Sequence, residues 1–169
     1  LIDTHRDYII GLAKQGFALI GEDGEFLPRA NFLDHIYKAE NEETREPARL
    51  GVSALVSMAY ERLGEIIAEY GEKELLDKCC KASKSLLENA PSKTGVKVAD
   101  AMMRLGGMIA DEAALETLND GSADGFSAFL SYYVLKALSV SGGRAEALKQ
   151  RKEFFGTLLK MGATSFWEA

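Results

Sequence analysis

The residue types best suited to chemistry stand close together in segment 161–169, which reads Met-Gly-Ala-Thr-Ser-Phe-Trp-Glu-Ala. Glu168 directly follows Trp167 there, behind a pattern typical of a well-formed helix. A carboxylate can act as an acid, a base or a polar contact, and a neighbouring indole ring partly desolvates it and tunes its basicity. The alternative interpretation is an ordinary terminal acid, since chain ends are usually polar and uninformative.

A second candidate pair stands in the predicted loop near the start of the chain, where Asp34 and His35 follow two apolar residues. Asp34 is of the type that contacts a substrate hydroxyl. It is equally the type that bonds its own backbone in a turn. An exposed loop position is the simpler interpretation of His35.

A third group of candidates precedes and enters a predicted helix. Asp120 and Asp124 flank Gly121, where they either line a site or cap the helix that follows. Tyr132 and Tyr133 are neighbours on that helix, so their side chains point about 100° apart. At most one of them therefore faces the interior, and Tyr132 is the candidate for a binding role.

The composition indicates one soluble globular domain over residues 1–169, with 47% hydrophobic and 27% charged residues. The formal net charge of −6 and interleaved charges argue against nucleic-acid binding, because the most basic run, 149–152, fits the solvent-facing side of a helix. No stretch approaches the roughly 20 apolar residues of a membrane span. Charged residues at 3–7 interrupt any signal-peptide core, and the first residue is not Met, which predicts that the chain is a piece of a longer protein.

Cysteine and histidine usage predicts neither a disulfide framework nor a cofactor. Cys79 and Cys80 are adjacent, and bridging neighbours strains the peptide between them. No His or Cys stands at the spacing of zinc ligands, so we expect no metal and no cofactor. One or both cysteines should pack as small apolar side chains on a helix.

Apolar periodicity predicts an all-α chain of about seven helices. They are predicted over residues 1–20, 47–70, 73–89, 96–105, 111–118, 125–140 and 144–161. Pro47 should lie in a first helical turn, and the acidic run 40–46 should be a solvated loop. Short and long connections alternate, the long ones being 21–46, 90–95 and 119–124, which predicts three antiparallel helix hairpins. An α-solenoid would need a constant repeat, so a closed or partly closed ring of hairpins fits better.

Three segments together resemble one family. Residues 125–138 read Gly-Phe-Ser-Ala-Phe-Leu-Ser-Tyr-Tyr-Val-Leu-Lys-Ala-Leu, residues 162–168 read Gly-Ala-Thr-Ser-Phe-Trp-Glu, and residues 32–35 read Phe-Leu-Asp-His. Their order and character are similar to the C-terminal part of α-L-rhamnosidase catalytic domains. These are six-hairpin glycosidases with an (α/α)6 toroid, so the resemblance implies about half of such a toroid.

The resemblance implies that Glu168 is the general base of an inverting glycoside hydrolase acting on a carbohydrate substrate. It also implies substrate contacts from residues in or beside the three segments, namely Trp167, Asp34, His35, Asp124 and Tyr132. His35 departs from the family, which usually has Trp there. The family's general acid lies in the other half of the toroid, so we expect this chain alone to be inactive.

Two alternatives stay open beside the glycosidase interpretation. One is a helical scaffold without chemistry, and the other is a related domain that binds sugar without cleaving it. In each case half a toroid leaves apolar hairpin flanks uncovered, from which we expect a homo-oligomer.

Overall fold

The computed structural model describes residues 3–27, 42–88, 90–123, 126–165 and 167. Within these residues the chain is all-helical, as predicted, with seven α-helices and no β-strand. The helices are α1 (Arg6–Gly16), α2 (Glu42–Glu69), α3 (Lys73–Glu88), α4 (Lys97–Leu105), α5 (Asp111–Leu118), α6 (Leu130–Val140) and α7 (Arg144–Lys160). Two short 3₁₀ helices, Asp3–His5 and Phe17–Leu19, flank α1. None of the helices in these ranges has the length and apolar character needed to cross a bilayer.

The start of α2 differs from the prediction. The helix begins at Glu42, so Pro47 lies inside it and the prediction of a solvated loop is wrong for residues 42–46. A proline inside a helix removes a backbone hydrogen bond and crowds the preceding turn. Here Pro47, Ala48 and Leu50 are all buried, and that packing outweighs the local cost.

The start of α6 also differs, because the helix begins at Leu130 and not near residue 125. The hydroxyl of Ser127 accepts a hydrogen bond from the backbone N–H of Leu130 at 3.0 Å. Ser127 is itself buried, so this cap fixes the entry into the helix. Apolar periodicity could not locate the boundary, since Phe126 continues the apolar pattern and is also buried.

The helices form two sets according to their packing. The helices α2, α4 and α6 lie side by side, since α4 packs against both of the others. Each of α3, α5 and α7 packs chiefly on the helix that precedes it. In the first pair the Ser57 hydroxyl lies 3.0 Å from that of Ser83, and a side chain at Gly64 would meet Leu76, so α2 and α3 run antiparallel.

The main core cluster is formed by α2 and the helices from α4 to α7. Its fully buried large side chains come from α4, α5 and α6: Val98, Met102, Met103, Leu118, Leu130, Val134 and Leu138. A smaller cluster joins α1 to α2 and α3, where the rings of Phe17 and Tyr60 stack with centroids 5.2 Å apart. Cys79 is buried in this second cluster as a free thiol, whereas Cys80 is exposed. One cysteine therefore packs as a small apolar side chain, as expected.

Candidate functional site

The sequence nominated six site residues, and the structure describes two of them. Glu168, Asp34, His35 and Asp124 lie outside the described residues, so their placement stays a prediction. Trp167 is half-buried. The sixth residue, Tyr132, is described with its neighbours below.

The terminal motif is described as far as Ser165. Helix α7 ends in a tight turn in which Gly162, at φ +87°, donates its N–H to Leu159, and Ala163 donates to Leu158, each at 3.0 Å. A positive φ is the conformation that glycine adopts at little cost and that ends a helix. The turn folds the motif back on α7 and leaves an apolar groove of about 450 Å³. The groove is lined by Phe155, Leu158, Leu159, Ala163, Thr164 and Ser165.

Tyr132 lies in the first turn of α6 with 62% of its surface exposed. Its ring meets that of Tyr133 edge to face, with centroids 5.3 Å apart, and Tyr133 meets Phe129 in the same way at 5.5 Å. Burial raises the pKa of the half-buried Tyr133. The two tyrosines thus differ in exposure, and Tyr132 is the one that can meet a ligand.

The sequence interpretation missed the most polar buried cluster, which surrounds Asp100 in α4. Asp100 is fully buried, and its carboxylate accepts four hydrogen bonds. Three come from the preceding turn: the N–H and the hydroxyl of Thr94 at 2.7 Å, and the N–H of Gly95 at 3.0 Å. The fourth comes from the Thr117 hydroxyl of α5 at 2.7 Å. Asp100 therefore joins the loop before α4 to the end of α5.

Lys97, one turn earlier on α4, holds the loop that follows α5. Its side chain is only 6% exposed, and its ammonium group donates to Asp120 at 2.5 Å and to the Ser122 carbonyl at 2.6 Å. The same group lies 5.6 Å from the centre of the Phe126 ring. A buried ammonium needs such partners, because desolvation of an unpaired charge is costly. Lys97 thus places residues 120–122 just ahead of the predicted site residue Asp124.

The electrostatics of this loop favour a charged Asp120. Burial alone would raise its pKa, but the hydrogen bonds from Lys97 and Ser122 outweigh burial and lower it. The Ser122 N–H donates to the Asp120 carboxylate at 2.9 Å, so Asp120 also closes its own turn. Its contacts are those of a structural residue.

The cluster is built for positioning and not for proton transfer. All four hydrogen bonds of Asp100 come from groups of the protein itself, which leaves no vacant position for a reacting water. One sequence signal could have revealed it: Asp100 is the single acid in the apolar run 98–103. A carboxylate on a buried helix face requires several donors, and Thr94 with Gly95 in the turn before the helix supplies them.

Neither a metal site nor a similarity to known proteins assigns a function to these residues. Among the described residues, no group of three or more His, Cys, Asp or Glu side chains is arranged to hold a metal ion. Comparison with models of protein families, with curated proteins and with solved structures finds no match.

Proposed function

We propose that this chain is the C-terminal part of the catalytic domain of an α-L-rhamnosidase-like glycoside hydrolase. The parent enzyme would cleave terminal α-L-rhamnosyl or related residues with inversion. The observation that carries the proposal is that the motif 162–168 follows a succession of helix pairs along the chain. Because the family's general acid belongs to the other half of the toroid, the 169-residue chain by itself is inactive on this proposal.

The packing of the helices supports the proposal. An (α/α)6 toroid has inner helices side by side, each followed in sequence by an outer helix. The helices α2, α4 and α6 lie side by side, and α3, α5 and α7 follow them on the outside, which suits three of six hairpins. An open solenoid would show the same local packing, so the terminal motif carries the functional part of the proposal.

The positioned loops support it as well. Contacts of Lys97 and Asp100 gather the turn before α4 and the loop after α5. Rigid helices that present loops on one side are the usual support for catalytic residues. In the proposed enzyme Glu168 activates water, Trp167 forms an apolar wall against the sugar, and the acid of the other half stands roughly 6.5–9.5 Å from Glu168.

The decisive experiment is Glu168→Gln in the longer enzyme that the proposal implies. Glutamine keeps the size of the side chain but cannot take a proton from water, so kcat should fall by about a hundredfold or more. Glu153→Gln, an exposed acid on α7, is the matched control and should leave kcat unchanged. Azide should partly restore turnover of Glu168→Gln by replacing the activated water. Near wild-type turnover of Glu168→Gln would show that the motif is structural.

Trp167→Ala separates a binding role from a chemical one. Loss of an apolar wall weakens substrate and transition state alike, so KM should rise more than kcat falls. Steady-state kinetics on an aryl α-L-rhamnoside give both constants. A fall in kcat with unchanged KM would instead place Trp167 in the chemical step.

A non-catalytic helical scaffold is the second candidate. It is favoured by the four hydrogen bonds that groups of the protein donate to the Asp100 carboxylate. The best-defined polar cluster is therefore structural. Full activity of Glu168→Gln in the parent enzyme, or no glycosidase activity at all, would leave this candidate as the better account.

A further inference from the structure

The most exposed large apolar side chains lie toward the two ends of the row of helices. Ten large apolar side chains in the described part of the chain are exposed, and none of them belongs to the helices from α2 to α5. Four lie on α1 and the segment after it, and six lie on α6 and α7 or directly beside them: Tyr8, Leu12, Leu19, Leu27, Phe129, Tyr132, Val140, Leu148, Leu159 and Met161. Single exposed apolar residues scattered over a surface are normal, but here they are concentrated in two parts of the chain.

The first of these surfaces, the α1 face, is formed by Tyr8, Leu12, Leu19 and Leu27, which are 41–68% exposed. Tyr8 and Leu12 are four residues apart, so they share one side of the helix. Helix α1 packs on α2, at the beginning of the row.

The second surface, the α7 face, is formed by Leu148, Phe155, Leu159 and Met161. The first three of these residues recur at helical spacing, and the groove of about 450 Å³ lies beside Phe155 and Leu159. Helix α7 packs chiefly on α6, at the opposite end of the row from α1.

The two ends carry opposite charge. Residues 3–27 contain two basic and five acidic side chains, a formal charge of −3. Residues 144–160 contain five basic and two acidic side chains, a formal charge of +3. The α1 end of one copy is therefore complementary in charge to the α7 end of another copy. Two identical ends would carry charge of the same sign. A second copy presenting its α1 face fits the α7 face, whereas two α7 faces repel.

We propose that the 169-residue chain associates head to tail with a second copy of itself, with the α1 face of one copy on the α7 face of the other. Such a contact joins two different surfaces and is heterologous, so it closes a ring or adds further copies according to its rotation. The proposal concerns the 169-residue chain by itself and does not depend on the proposed function.

Sedimentation velocity over a range of concentrations tests the association. We expect a wild-type dissociation constant below about 100 μM, which about 0.5 M NaCl weakens because the ends attract by charge. Leu12→Lys places a base on the α1 face, and Leu159→Glu places an acid on the α7 face, both at exposed positions that the fold tolerates. Each change therefore meets a like charge on the partner copy. Each should raise the dissociation constant at least about tenfold. Ala110→Glu, an exposed change between α4 and α5, is the matched control and should leave it unchanged.

Mixing the two variants distinguishes a head-to-tail contact from a symmetric one. The Leu159→Glu chain keeps an intact α1 face, and the Leu12→Lys chain keeps an intact α7 face. An equimolar mixture should therefore form a one-to-one complex that neither variant forms alone. A wild-type chain that stays monomeric at about 100 μM overturns the proposal and leaves the faces to other helices or partners. Association that mixing fails to restore overturns the head-to-tail geometry.

Discussion

At the scale of single residues, Asp100 and Lys97 show how two charges on one short helix organise the loops around it. Both side chains are buried on α4, where a charge without partners would be costly. Asp100 is satisfied by the turn before the helix and by Thr117, and Lys97 by the loop at Asp120. These contacts satisfy the buried charges and hold the two loops in defined positions.

Asp100→Ala should destabilise the fold by about 3 kcal/mol, because it leaves several buried donors without an acceptor. Thr117→Val is the milder comparison, since it removes one hydrogen bond and keeps the shape of the side chain. It should cost about 1 kcal/mol. Urea unfolding followed by circular dichroism measures both values. Equal losses for the two variants would show that the carboxylate is not the centre of the cluster.

The Lys97–Asp120 contact predicts a pH dependence of stability. The pKa of Asp120 is lowered in the folded chain, so the contact stabilises the fold above the ordinary carboxyl pKa of about 3.9. This contribution is lost as the pH falls through the lower folded-state pKa. Asp120→Asn should cost about 1 kcal/mol or less at pH 7, because the Asp120 side chain is 48% exposed.

The free energy of unfolding measured from pH 7 down to about pH 3 tests this linkage. The difference between wild type and Asp120→Asn should shrink toward the acid end, where Asp120 in the wild type becomes protonated. A difference that stays constant with pH would assign the stabilisation to shape and not to charge.

At the scale of elements, a small hairpin-like turn closes the loop after α1 against α3. Ile20 and Phe26 form an isolated antiparallel bridge, and Gly24 lies between them at φ +79°. A Cβ atom on Gly24 would lie only 2.6 Å from the Cβ of Ser85. The turn therefore needs glycine for its backbone conformation and for its close approach to α3.

Gly24→Ala and Gly71→Ala separate these two requirements. Both glycines have positive φ, but a Cβ on Gly71 meets no atom within 4 Å. Gly71→Ala should cost about 1 kcal/mol from backbone strain alone, and Gly24→Ala about 2–3 kcal/mol because the turn must also move away from Ser85. Thermal or urea unfolding of the two variants gives the comparison. A Gly71→Ala loss as large as that of Gly24→Ala would contradict a role for the contact with Ser85.

At the scale of the whole molecule, the helices form a row whose middle is well covered and whose ends are apolar. This distribution suits a part of a larger ring as well as a chain that associates with its own copies. Both accounts place the terminal motif beyond α7, at one end of the row.

The proposed function predicts that the isolated 169-residue chain shows no turnover of an aryl α-L-rhamnoside. On that proposal a base without its acid loses a contribution of roughly 10²–10⁴-fold, and the cleft lacks the wall that the other half of the toroid would supply. A discontinuous assay at high protein concentration provides the measurement, with the Glu168→Gln chain as the control for contaminating activity. Turnover that disappears in Glu168→Gln would instead show that the chain carries its own acid.

The sequence by itself determined the helical class and most of the helix bounds, because apolar spacing and glycines at helix ends are local signals. Helices α3, α5 and α7 begin where the pattern predicts and end within a residue of it. It also determined that Tyr132 and Tyr133 point in different directions, because neighbouring residues on a helix are about 100° apart. The toroid, and the roles of the residues around Glu168, remain predictions.

Only the tertiary structure decided where charges are buried and where packing overrides local helix propensity. Pro47 inside α2 depends on apolar side chains that are buried in the core, and the late start of α6 depends on the hydrogen bond to Ser127. Apolar periodicity encodes neither feature. The cluster around Asp100 unites residues 94, 100 and 117, whose proximity arises from the packing of α4 on α5. Such contacts join groups that are distant along the chain, and a single sequence carries no direct signal of which distant groups will meet.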